Sequence, residues 1–112
     1  MEVLPDNNIE NGKTNAIISY LWIPGVLIAW ILNNSKKNSF ASFHIRQMIG
    51  LCVLSILNGW IITKFFGFFA GGIVGIVLLV LWVIGFMGAL NGEEKRVPII
   101  GDHFQEWFKN LG

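Results

Sequence analysis

Three polar residues stand inside long apolar stretches of this chain, and they are the residues that could do chemistry: His44, Gln47 and Asn58. On a helix they share one face. Three steps of 100° put Gln47 about 60° from His44, and eleven further steps bring Asn58 within about 20° of Gln47. Ser55 lies at the edge of this stripe. A polar stripe on a helix in lipid must face protein or water. It can hold helices together through hydrogen bonds worth roughly 0.6 kcal/mol each. It can also touch a translocating substrate or a partner subunit. Nothing else in the sequence makes a catalytic set. Every Asp and Glu lies in a tail or at Glu93 and Glu94, no nucleophile stands near a base, and no glycine motif follows a strand. The chain is expected not to be an enzyme and to need no cofactor. Cys52 is the single cysteine, so no internal disulfide can form, and its apolar surroundings make it a packing residue. Two histidines and one thiol far apart in sequence argue against a structural zinc site.

The elements that must position this stripe are set by the absence of charge. Residues 14–35, 47–63 and 65–92 contain no Asp, Glu, Lys or Arg. A bilayer core is roughly 30 Å thick and takes about 20 apolar residues as helix. Only helices and closed barrels satisfy their own backbone in lipid, and continuous apolar runs are not the alternating pattern of a barrel. Hydrophobic residues make up 54 % of the 112 and charged residues 13 %, about half the usual charged share. The fold class is therefore an all-α integral membrane protein. Three spans are expected, at about residues 15–32, 44–63 and 71–90, within a membrane domain of residues 14–92. Residues 1–13 read as a flexible polar tail without the features of a signal peptide. The net charge of +1 argues against a nucleic-acid partner. The bilayer and other integral membrane subunits, or further copies of the chain, are the expected partners.

Pro24-Gly25 interrupts the first run. It either kinks a spanning helix or divides it into two re-entrant half-helices, each of about eight residues and too short to cross alone. Ser39 is the expected N-cap of the second helix. The tract KFFGFFAGG at residues 64–72 is a tight turn that folds the second and third spans into an antiparallel hairpin. Gly67, Gly71, Gly75, Gly85 and Gly88 are small-residue positions for close helix packing. At the C-terminus, Phe104, Trp107, Phe108 and Leu111 recur at helical spacing. They predict an amphipathic helix in the membrane interface within a cytoplasmic tail of residues 93–112, with Asp102 as cap and Gln105 completing a box-like pair. Arg46 is expected to reach lipid phosphate. Lys36, Lys37, Arg46, Lys95, Arg96 and Lys109 oppose Lys13 and Lys64, six against two. That count puts the first loop and the C-terminus in the cytoplasm and the N-terminus outside.

Two stretches carry a family resemblance. Residues 38–47 read NSFASFHIRQ after the first span, and Asn91-Gly92-Glu93 followed by VPIIGD at residues 97–102 comes after the last. This resembles the superfamily of the twenty-kilodalton subunit of the translocon at the inner envelope of chloroplasts, and most of all its small bacterial import-component relatives. The resemblance implies Ser39, Phe40, Phe43, His44, Arg46, Gln47, Gly92 and Pro98 as motif positions. It also implies a bacterial inner membrane and an accessory role in protein translocation or insertion. The chloroplast member is a four-helix subunit, whereas this chain shows three clear spans. A homo-oligomeric transporter or channel, resting on the polar stripe, is the alternative.

Overall fold

The structure, a computed structural model, describes residues 9–110. Leu111 and residues 1–8 lie outside the described residues. Among those described, all regular structure is helical.

The first apolar run forms two helices, α1 (Ile9–Ser19) and α2 (Trp22–Lys36). Residues 9–13, expected as tail, are the start of α1. The chain turns back at Tyr20 and Leu21, where their N–H groups close short turns on the carbonyls of Ile17 and Ile18. Trp22 follows with φ 70°. Pro24 is thus the third residue of α2, in the first turn, where a missing N–H costs nothing. Gly25 is needed because a Cβ there would run into the carbonyl oxygen of Ile18. The two helices close into a V, and Gly12 of α1 packs against the Asn38 side chain just beyond α2. At 1.5 Å per residue they are about 16 and 22 Å long, each shorter than a bilayer core of roughly 30 Å. Neither is long enough to span by itself, so the expectation of three spanning helices is not supported.

The rest of the apolar sequence forms α3 (Ser39–Leu57), a π-helical turn at Asn58–Ile62, and α4 (Thr63–Leu90). The stretch Ser39–Leu90 is long and apolar enough to cross a membrane. As one straight rod its 52 residues would measure about 78 Å, yet the longest dimension of the molecule is 56 Å. It folds back at Gly67, whose φ of 91° and ψ of 170° belong to a region that favours glycine. Gly71 then meets Thr63, Gly75 meets Asn58, and Gly85 meets Gln47. The falling partner numbers define an antiparallel hairpin. Its arms, residues 39–66 and 68–90, are about 42 and 34 Å long. The turn in KFFGFFAGG is where the sequence placed it. Gly67 makes the reversal and does not pack, since nothing lies within 4 Å of its missing Cβ.

Two apolar clusters hold the parts together. Ala16, Tyr20, Met48, Leu51, Leu78 and Leu81 join α1 to both arms. Ala29, Ala41 and Ile45 seat α2 on α3. The outward faces stay apolar: Ile28, Ile31, Ile56, Trp60 and Val80 are all exposed, and Phe65, Phe66, Phe68 and Phe69 crown the hairpin tip. A soluble domain rarely shows so large an apolar surface. The start of α1 touches the end of α4, with Ile9 against Gly92. The start of α1 and the segment after α4 therefore share the base of the molecule with the α2–α3 corner.

Candidate functional site, a buried polar joint at the base

The α2–α3 corner sets the register of α3. Lys37, with φ 53°, ends α2, and its N–H reaches the carbonyl of Asn33. Asn38, and not Ser39, is the N-cap, accepting a 3.0 Å bond from the Ala41 N–H. Asn33 donates to Ser42 Oγ at 2.8 Å and accepts from the Asn38 N–H at 3.0 Å. Ser39 itself is exposed.

From this corner α3 carries His44 and Gln47, both with no exposed surface, into contact with Tyr20 in the turn after α1. Beyond α4, residues 93–97 run back over the same spot without regular structure. His44 Nε2 lies 2.8 Å from the Glu93 carbonyl oxygen, and Nδ1 lies 2.6 Å from Tyr20 Oη. A carbonyl only accepts, so Nε2 carries the proton. Nδ1 then accepts from the Tyr20 hydroxyl. Gln47 Nε2 donates to Tyr20 Oη at 2.9 Å and to the Lys95 carbonyl at 3.1 Å. Gln47 Oε1 accepts the Val97 N–H at 2.9 Å. Alternate residues 93, 95 and 97 thus turn their backbone groups toward α3. With neutral His44 every donor finds an acceptor. The Phe40 and Phe43 rings stand edge-on to the imidazole, with centroids 4.8 and 5.0 Å away. Trp82 adds a 2.9 Å bond to the carbonyl of Tyr20 at the end of α1. Gly85 lies beneath Gln47 and Tyr20, and Gly88 beneath Lys95. Their missing side chains make room for the joint.

Chemically this is a fastening. Both imidazole nitrogens are engaged, and the amide is engaged at both ends. The polar stripe splits. His44 and Gln47 serve this chain, so the face that motivated the transporter reading is occupied. Asn58, a helical stretch away in the π-helical turn, donates to the Gly71 carbonyl at 3.0 Å and leaves its Oδ1 without a partner. Arg46 is partly buried at the base, with Glu94 as an electrostatic neighbour. Gly92, at φ 72°, starts this segment, and Pro98 sits exposed in the turn that follows.

The C-terminal helix α5 (Gly101–Trp107) also departs from expectation. Phe104 is buried against Gly50 of α3 instead of facing lipid. Phe108 is half-buried with the main core, and Trp107 is well exposed. Asp102 does not cap the helix but pairs with Arg96 at 2.7 Å. Gln105 donates to the Phe43 carbonyl at 2.9 Å, tying α5 to α3. Sequence reasoning missed Tyr20, the centre of the joint. The available signal was a lone tyrosine in an apolar run, because a buried phenol needs a partner.

Comparisons place the chain among membrane proteins. It is 33 % identical over 108 residues to UPF0132 membrane protein MJ1443 of Methanocaldococcus jannaschii, covering 91 % of this chain and 88 % of that one. It is 26 % identical over 112 residues to UPF0132 membrane protein MJ1527 of the same organism, covering 95 % and 73 %. No solved structure matches. The resemblance to the chloroplast translocon subunit is not upheld, and the translocation role it implied falls with it, because the family pattern that fits is a different one. That pattern covers residues 11–104, from α1 through the buried joint to Phe104, and the chain belongs to the magnetosome magnetite crystal formation protein family.

Proposed function

We propose that the chain is a non-enzymatic, multi-pass subunit of the bacterial inner membrane that organises a membrane assembly through its helix faces. One observation carries this reading: the polar groups of the buried joint are spent inside the chain, while the outward surface of the hairpin is apolar helix. Recognition then runs through helix packing, with other integral membrane subunits or further copies as partners. The family description speaks of magnetite crystal formation. Among the described residues, no three His, Cys, Asp or Glu side chains gather to hold a metal ion. The reading therefore gives this chain a part in arranging the membrane and not in touching mineral.

The fold supports one orientation. Lys13 moves to the base with Lys36, Lys37, Arg46, Lys95, Arg96 and Lys109, which leaves Lys64 at the tip, seven of the eight against one. By the positive-inside rule the base and both chain ends are cytoplasmic. Cysteines placed at Asn11 and Asn110 should react with an impermeant maleimide only after the cytoplasmic side is opened, and one at Phe68 should react in intact cells. Labelling of Asn11 and Asn110 from opposite sides would refute the two-span arrangement. Purification in mild detergent should recover a hetero- or homo-complex. A protein that always elutes alone would sink the assembly role.

A further inference from the structure

The molecule tapers along the axis of the hairpin. Among the described elements, α1, α2 and α5 all pack on α3, yet only α3 and α4 touch the π-helical turn at Asn58–Ile62. The V stops where the Trp82 indole donates to the Tyr20 carbonyl at 2.9 Å. Trp82 stands eight residues from Leu90 and fourteen from Phe68, about 12 and 21 Å along α4. We propose that the chain is a wedge in the bilayer, broad in the base-side leaflet and narrow in the other, and that it selects strongly curved membrane whose base-side face is convex. The proposal rests on the membrane-spanning reading of the hairpin and names the kind of membrane that such a subunit would arrange.

Length and surface place the V in one leaflet. Residues 68–90 of α4, about 34 Å long, match a bilayer core of roughly 30 Å, and α1 at about 16 Å matches half of it. The V flanks α4 from the base end, where Ile9 meets Gly92, as far as Trp82. Its outward side is made for lipid: Trp22, Leu27, Ile28 and Ile31 are exposed, and residues 14–35 carry no charge. Turned to water, that side would be a large bare apolar surface. The base-side leaflet thus holds α1, α2 and both arms. On the tip side Ile56, Trp60, Ile73 and Ile76 are exposed around the two arms, so lipid closes in on them alone. A helix about 10 Å across takes about 80 Å² in the membrane plane, which gives about 320 Å² on the base side against about 160 Å² on the tip side. Two leaflets that must stay in register accommodate unequal areas by bending, with the broader side outermost. In the orientation proposed above, the convex face is the cytoplasmic one.

Narrow tubes pulled from giant phosphatidylcholine vesicles test this, because the tube wall is strongly curved and the vesicle wall is nearly flat. The full chain, with Cys52→Ala, would carry a single new cysteine, either Asn110→Cys at the base or Phe68→Cys at the tip. An impermeant fluorescent maleimide added outside marks base-out copies in the first case and tip-out copies in the second. Circular dichroism would check that both variants keep their helices. The base label should be enriched at least twofold in the tube relative to the vesicle wall, and the tip label depleted by a similar factor. Where one orientation dominates, its label alone decides. Equal density of each label in tube and wall would mean an untapered body, and would overturn the proposal while leaving the hairpin across the membrane. Equal enrichment of both labels would overturn it too, since a wedge cannot favour curvature of both signs. If the cysteine at Phe68 stays unlabelled even in vesicles opened by a pore-forming peptide, the hairpin does not cross, and the spanning reading and the proposal fall together.

Discussion

Replacing Gln47 with leucine should release the segment that follows α4. Gln47 is fully buried and makes three bonds, to Tyr20 Oη, the Lys95 carbonyl and the Val97 N–H. Leucine has a similar volume, so packing on Gly85 is kept and the polar contacts alone are lost. Tyr20 retains its bond to His44, and Lys95 is exposed enough for its carbonyl to find water. Val97 is 2 % exposed, and its N–H is left with no acceptor. An orphaned buried donor costs about 1–3 kcal/mol, and each lost bond a further ~0.5–1.5 kcal/mol. The sum, discounted for the solvent-rescued carbonyl, is about 2–4 kcal/mol. Each 1.4 kcal/mol is tenfold, so local opening should rise roughly 30- to 1,000-fold. Trypsin reads this directly, because Lys95 and Arg96 lie in the tied segment. When opening is fast relative to cleavage, the cleavage rate follows the open population. Limited proteolysis in detergent should therefore speed up at these two bonds by at least 30-fold, with helical circular dichroism unchanged. A change of threefold or less would mean that the joint does not hold the segment, and the fastening argument would be wrong.

Three further outcomes follow from the same geometry. Tyr20→Phe should lower the thermal midpoint in detergent, by about 1–3 kcal/mol of stability, because it orphans His44 Nδ1 and one Gln47 proton; an unchanged midpoint would refute the hydrogen-bond assignment. Gly67→Val should destabilise the hairpin by about 1–2 kcal/mol through its left-handed backbone, while Gly72→Ala, in open space, should be nearly neutral in the same melt. Gly50→Leu should drive Phe104 from its seat and forfeit about 1.5–3 kcal/mol of burial, seen as faster labelling of a cysteine placed at Gln105.

The hairpin was legible in the sequence because its signals are local. Charge-free runs of sufficient length and a glycine between phenylalanine pairs at residues 65–69 are enough to specify two arms and a turn. The V of α1 and α2 was less so. Pro24-Gly25 announced an interruption, but whether the chain kinks or reverses is decided by contacts of Gly12 with Asn38 and of Gly25 with Ile18, which no local pattern encodes. The lysine count depends on the same contacts, since the V brings Lys13 of α1 to the end of the molecule where Asn38 lies. The joint was half legible. His44 and Gln47 were visible as polar residues on one face, but their partners are mostly backbone groups about 50 residues away, which leave no mark in side-chain identity. The amphipathic spacing of α5 was read correctly as a helix, but an apolar face does not say whether lipid or a glycine notch will cover it.

The single lysine at the tip bears on how this protein enters a membrane. In the orientation proposed above, with seven basic residues at the base, the segment that must pass through the bilayer is the reversal near Gly67, flanked by four phenylalanines. Lys64 is the one formal charge among residues 47–92, and a lysine costs about 2.5–3.5 kcal/mol at the centre of a helix in the bilayer. The two arms can therefore go in together as one unit with a single charge to carry across. In the same proposed orientation the α1–α2 wedge follows from the cytoplasmic face without any part of it having to leave that side.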